Sequence, residues 1–202
     1  MRIIAGELKG REVHLPRGSR IRPATNFVRE MAMNLFENAA GEAGGRISDG
    51  IFLDVCAGSG LMGFEALSRG ARRAWFVEAD YRTAEALRET ARRFSVDSRA
   101  KVIRCDARRC FGVLAKQLAG ERIDAAFLDP PFIAGMAEDI LLRLADGAAE
   151  LYSPRALIIV RTPDELPVAL EGLNFIEERA AGQSRLWLYR PATWTPALNV
   201  PA

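Results

Sequence analysis

A chain of 202 residues, 49% apolar and 27% charged, has room for one soluble α/β domain and a small appendage. No apolar stretch nears the ~20 residues that span a bilayer, and the start Met1–Gly6 is no secretory signal, so a cytoplasmic location is expected. Cys56, Cys105 and Cys110 form no C-x-x-C pair and His14 is the single histidine, which argues against a disulfide framework and against a metal. The net charge of +2 is uneven, with +4 in residues 1–30 and −2 over the rest. Lys9, Lys101 and Lys116 are the only lysines among 28 basic residues. Arginine's planar fork suits phosphates and bases, although arginine-rich codon usage would give the same composition.

In chain order, residues 2–5 and 12–15 read as the arms of a short hairpin turning near Lys9-Gly10. Thr25 or Asn26 then caps a helix with Val28, Met31 and Leu35 on its apolar face. The Gly- and Ala-rich stretch 38–50 reads as a linker. Strand-length apolar runs follow at 51–56, 74–77, 101–105, 125–128 and 157–160. Helical segments at 61–69, 82–94, 107–118 and 137–144 separate them. Ala84, Leu87, Ala91 and Phe94 form one helical stripe, while Glu85, Arg88, Glu89, Arg92 and Arg93 read as a solvated, self-paired face. This alternation predicts a parallel sheet covered on both faces. Residues 175–181 and 185–190 read as an antiparallel pair around Gly182-Gln183, and a tail with Pro191, Pro196 and Pro201 reads as extended. The expected divisions are an appendage at 1–48, an α/β domain at 49–190 and a tail at 191–202.

The first run of the α/β part leads into Asp54-Val55-Cys56-Ala57-Gly58-Ser59-Gly60-Leu61-Met62-Gly63. Gly58, Gly60 and Gly63 make a G-x-G-x-x-G turn between strand and helix, where backbone can pass close beneath a ligand. By itself this turn fits a dinucleotide as well as S-adenosylmethionine. Glu78 ends the second run, where a carboxylate can accept from both hydroxyls of a ribose. Asp80, just beyond, reads as a helix cap. Asp106 ends the third run; it can accept from an adenine amino group, cap the next helix, or do both. The fourth run ends in Asp129-Pro130-Pro131-Phe132. Two prolines stop the ladder and fix the backbone, so that the Asp129 carboxylate and a proline carbonyl can face one point. Paired acceptors suit the exocyclic amine of a base, a poor nucleophile until its hydrogens are held. Phe132 can stack on that base.

These residues resemble the class I methyltransferases, and specifically the RsmD family of small-subunit (16S) ribosomal RNA guanine-N2 methyltransferases. The resemblance runs along nearly the whole chain. It rests on Arg2-Ile3-Ile4-Ala5-Gly6, Lys9-Gly10-Arg11, Arg22-Pro23, Val28-Arg29-Glu30, Asp54, Ala57-Gly58-Ser59-Gly60, Glu65-Ala66-Leu67-Ser68-Arg69-Gly70-Ala71, Phe76-Val77-Glu78 and the D-P-P-F tetrad. It implies a Rossmann-like fold, a seven-stranded mostly parallel sheet with the last strand antiparallel, preceded by a hairpin-and-helix appendage. It implies S-adenosylmethionine bound by Asp54, Ala57, Gly58, Ser59, Gly60, Glu78, Asp106 and Ala107, with the methionine near Asp54, ribose at Glu78 and adenine at Asp106. It implies catalysis by Asp129, Pro130, Pro131 and Phe132, RNA contacts from Arg11, Arg22 and Arg29, and a monomer acting on 16S rRNA or a small-subunit assembly intermediate. Ala24, Asn26 and Phe27 depart from the family's R-P-T-T-D-R-V-R-E, and Cys56 replaces a common phenylalanine in what reads as a packing position. The competing readings are an adenine-N6 methyltransferase on RNA or DNA, an NAD-dependent dehydrogenase, and a non-catalytic RNA-binding assembly factor.

Overall fold

Apolar residues that run without alternation need cover on both faces, and the central strands have it. The computed structural model describes residues 1–16, 24–38 and 47–194. Its parallel strands are β1 (Ile51–Val55), β2 (Arg73–Glu78), β3 (Ala100–Arg104), β4 (Ile123–Leu128) and β5 (Tyr152–Thr162). The helices are α1 (Asn26–Asn38), α2 (Leu61–Ser68), α3 (Tyr81–Arg93), α4 (Phe111–Leu118), α5 (Met136–Asp146) and α6 (Ala148–Leu151). Phe52, Phe76 and Phe127 face one core beneath α1, α2 and α3. Ile51, Leu53, Val77 and Leu128 face the other beneath α4, α5 and α6.

The antiparallel strand β8 (Ser184–Pro191) inserts between β5 and β7 (Leu173–Ala181), and β6 (Ala169–Leu170) pairs with the outer edge of β7. The order is β3-β2-β1-β4-β5-β8-β7-β6. The sheet therefore has eight strands where seven were expected, because a two-residue edge strand too short to leave a periodic signal joins it. The chain winds outward through β2 and β3, then returns to lay β4 on the far side of β1. That reversal opens a crevice at the carboxyl ends of β1 and β4. Among the described residues no helix is long and apolar enough to cross a membrane.

Three local expectations need correction. The segment 107–118 is a 3-10 turn (Ala107–Arg109) followed by α4, broken at Cys110, whose thiol donates to the Ala107 carbonyl at 3.1 Å. In α1 the fully buried face is Val28, Ala32, Met33 and Phe36, while Met31 and Leu35 flank it. The third correction concerns the N-terminal arms, which meet at a single bridge, Arg2 to Glu12, instead of forming two strands.

The arms still exchange backbone bonds, Ile3 with Arg11 and Gly10, and Val13 with Met1, while the outer side of the first arm is bound to α2. Ile4 and Ala5 donate their N–H groups to the two oxygens of the Glu65 carboxylate, at 2.9 and 3.0 Å. Leu8 donates to the Ser68 hydroxyl at 2.9 Å and Glu7 to the Ser68 carbonyl at 2.8 Å. Gly6 adopts φ +80°, and a Cβ there would lie 1.8 Å from the Ser68 carbonyl oxygen. Only glycine fits that approach. Glu65 is fully buried and also pairs with Arg69, which reaches Glu37 at 2.8 Å. The E-A-L-S-R-G-A helix is thus the dock for the N-terminal segment, so the two stretches depend on each other. Removing a buried acceptor strands its donors at ~1–3 kcal/mol each. Glu65→Ala should therefore cost about 2–6 kcal/mol and lower Tm by about 4 °C or more for a chain this size, measured by thermal melting. An unchanged Tm would dismiss the dock.

Candidate active site

Parallel register decides which residues stand side by side at the sheet's carboxyl edge. Val55 pairs with Val77 and with Leu128, Glu78 with Arg104, and Leu128 with Val160. The next position on each strand brings Glu78, Cys56, Asp129 and Arg161 into one row. Two residues before Cys56, Asp54 points toward α2 and accepts from the Gly63 N–H at 2.9 Å, with 2% of its surface exposed. Asp106 lies just beyond β3. Four adjacent strands therefore each deliver a carboxylate to the same edge.

The glycine turn is shaped by these acids. Gly58 donates its N–H to Glu78 Oε2 at 2.9 Å, and the Asp80 N–H donates to Oε1 at 2.9 Å. Ala57 donates to the Val77 carbonyl at 3.0 Å and its own carbonyl receives the Gly60 N–H at 2.7 Å. Gly60 has φ +74°, and its missing side chain leaves room for Leu87 and Phe64. At Gly63 a Cβ would sit 2.3 Å from the Phe76 ring, so this glycine lets α2 lie flat on the sheet. Ser59 is buried within the turn. Cys56 bends through φ +59° and packs against the second core, in keeping with the packing reading, and burial pushes its thiol well above the usual range.

The D-P-P-F corner is bound directly to β1, because the Asp129 N–H donates to the Val55 carbonyl at 3.2 Å. Pro130 is buried and Pro131 exposed. The Pro131 carbonyl receives the Ile133 N–H at 2.7 Å, which leaves the Pro130 carbonyl as the proline acceptor that can face a ligand. Phe132 is 52% exposed and thus free to stack.

Burial drives the Asp129 carboxyl above its ordinary value against the pull of Arg161. It raises Asp54 too, helped by the neighbouring charges of Asp129 and Glu78. Asp106 behaves oppositely: Arg108 donates Nε, Nη2 and its backbone N–H to it and holds its carboxyl down at about 2. It caps the turn that begins at Ala107, which is buried. Asp80 caps α3 by accepting from the Thr83 N–H at 2.8 Å, as expected.

The residues expected to contact RNA fare differently. Arg29 is 1% exposed, and its guanidinium donates to the Arg2 carbonyl at 3.1 and 3.2 Å and to Asn26 Oδ1 at 2.6 Å. Its work is to fasten α1 to the N-terminal segment, so the expectation of an RNA contact is corrected. Asn26, one of the departures, serves this same tie. Arg11 spends its terminal nitrogens on the Phe94 and Arg93 carbonyls, at 3.0 and 3.1 Å, where it caps α3. Arg22 and the rest of 17–23 lie outside the described residues, as does the tail beyond 194. Exposed Arg82, Arg104 and Arg109 instead rim the ends of β2 and β3, with Arg104 over the exposed ring of Tyr81.

Arg161 was missed from sequence. Its Nη1 lies 3.0 and 3.1 Å from the two Asp129 oxygens, and its guanidinium carbon is 5.0 Å from the Phe132 ring centre. The available signal was an arginine at the end of the fifth parallel run, on the edge where every candidate already stood.

Acceptors for a cationic ligand rich in hydroxyls, set beside acceptors for an amine on this sheet order, define a class I methyltransferase. The chain belongs to the family described as conserved hypothetical protein 95, whose model matches residues 1–190. Ribosomal RNA small subunit methyltransferase D of Escherichia coli K12 is 32% identical over 192 residues, covering 94% of this chain and 89% of that protein. The solved structure of yhhF from Escherichia coli superposes with a TM-score of 0.73 at 32% identity, covering 95% of this chain and 97% of that one. An RNA methyltransferase from Salinibacter ruber, solved with S-adenosyl-L-homocysteine, shares the fold at a TM-score of 0.59 and 13% identity, covering 89% and 97% of the two chains.

Proposed function

We propose that the protein transfers a methyl group from S-adenosylmethionine to the N2 amine of a guanine in small-subunit ribosomal RNA. The observation that carries this reading is the hydrogen bond from Asp129 to the Val55 carbonyl, which makes the amine-holding corner and the glycine turn one structure. The edge also fits the cofactor's chemistry. Asp54, Glu78 and Asp129 all bring acceptors to this edge, and the Gly58 N–H in the turn is already spent on Glu78. A sulfonium and an ammonium are welcome there. A dinucleotide's pyrophosphate would meet carboxylates, which disfavours the dehydrogenase reading.

When bound, S-adenosylmethionine supplies a methyl group on a positively charged sulfur. Glu78 would hold the ribose hydroxyls and the Asp106–Ala107 corner the adenine, with Asp54 and residues 57–60 beneath the methionine end. Asp129 and the Pro130 carbonyl accept the two amine hydrogens and thereby turn the nitrogen lone pair out of the ring plane. As positive charge grows on that nitrogen the carboxylate stabilises it, and an Asp129 oxygen takes the released proton. Phe132 stacks on the base, which must leave its own stack to enter. An ionised carboxylate only accepts, and guanine offers two adjacent donors, N1–H and N2–H. Adenine sets a donor beside a bare ring nitrogen, a poorer match, so guanine is favoured. Exposed Arg82, Arg104 and Arg109 suit the phosphates that flank the base.

The test is transfer of labelled methyl from S-adenosylmethionine to small-subunit rRNA, both deproteinised and in subunits lacking the modification, with nucleoside mass spectrometry of the product. N2-methylguanine is the expected nucleoside. N6-methyladenine would overturn the choice of base, and no transfer to either substrate would overturn the reading.

A further inference from the structure

Asp129 faces charge from several strands. Asp54 stands on β1, Glu78 on β2 and the Cys56 thiol follows β1, while Arg161 at the end of β5 is the cation paired with it. Beyond Asp129, Arg161 is fixed at two further points. Nε donates to the Ser184 hydroxyl at 3.1 Å, that hydroxyl donates to the Ala181 carbonyl at 3.0 Å, and the guanidinium lies over Phe132. The β7–β8 turn thus holds the arginine, and the arginine holds two members of the tetrad. Because one nitrogen bridges both Asp129 oxygens, each oxygen keeps a lone pair free for a substrate hydrogen.

The geometry points to Arg161 as a positioning residue that clamps the Asp129 carboxylate and the Phe132 ring into the arrangement that receives the base. It rests on the methyl-transfer reading for its effect on rate, but its effect on Asp129 is independent of that reading. Without the guanidinium, burial favours a protonated Asp129, which would present a hydrogen to an amine that needs an acceptor. The sign follows directly. Activity requires ionised Asp129, so it is lost as pH falls through that group's value, and removing Arg161 moves this limb upward.

Two measurements on the full chain test the clamp. In the first, kcat at saturating S-adenosylmethionine and rRNA is followed against pH for wild type, Arg161→Gln and Arg161→Lys. Arg161→Gln should lose about tenfold or more near neutral pH, a deficit that shrinks as pH rises, because one unit of pKa is a tenfold change in ionised fraction. Affinity for S-adenosylhomocysteine should change less than about twofold, which also shows that the variant folds, and Arg161→Lys should recover part of the rate. A deficit of constant size at every pH, or none, would overturn the proposal. In the second, carbon-13 NMR of labelled aspartate carboxyls follows the Asp129 midpoint without any methyl transfer. A midpoint that rises in Arg161→Gln upholds the clamp even if wild type proves inactive on RNA, which would sink the functional reading alone. A midpoint that stays put overturns the clamp.

Discussion

Asp129→Ala should lower the single-turnover rate of methyl transfer by about a hundred- to a thousandfold, the effect of deleting one oriented group at a site of developing charge. Two causes act together. The amine loses the acceptor that turns its lone pair outward, and Arg161 is left facing a nitrogen that becomes positive. Asp129 lies across the corner from Glu78 and makes no hydrogen bond to the glycine turn's N–H groups, so cofactor affinity should change by less than about threefold. Asp129→Asn, which keeps the shape but turns one oxygen into a donor, should fall between. Rates from rapid quench and affinities for S-adenosylhomocysteine from calorimetry check both halves. A near wild-type rate in Asp129→Ala would remove Asp129 from the chemistry.

Glu78→Ala should do the reverse, weakening S-adenosylhomocysteine binding by a hundredfold or more. Two charge-assisted bonds to the ribose hydroxyls at ~1.5–3 kcal/mol each amount to about 3–6 kcal/mol. The deletion also frees the Gly58 and Asp80 N–H groups, so the turn loses the tie that shapes it. With cofactor saturating, kcat should fall far less than affinity does. Glu78→Gln, which can still accept from Gly58, should bind between the two. An affinity unchanged in Glu78→Ala would discredit the ribose role.

The alternation of apolar runs made β1 through β5 and their helices legible, because a buried parallel strand leaves a continuous signal. The glycine turn, Glu78 and the D-P-P-F corner were legible because each lies within a few residues of a strand end. What failed depends on contacts distant in sequence. Residues 2–15 carry hairpin periodicity, but the first arm is also drawn onto α2, where Glu65, sixty-one positions after Ile4, accepts from Ile4 and Ala5. Arg29, to which the resemblance gave an RNA contact, is instead buried on the Arg2 carbonyl. Arg161 becomes meaningful only once register sets Val160 beside Leu128, which brings it next to Asp129 thirty-two residues away. Ala169–Leu170 is too short for any period to reveal.

The decisive measurement is a crystal structure with S-adenosylhomocysteine bound, which locates the sulfur relative to the Asp-Pro-Pro corner. The expected structure has a ribose on Glu78, an adenine at Asp106 and Ala107, and a sulfur above Gly58–Gly60 turned toward Asp129. A sulfur pointing away from Asp129, or a ligand seated outside the crevice between β1 and β4, would contradict it.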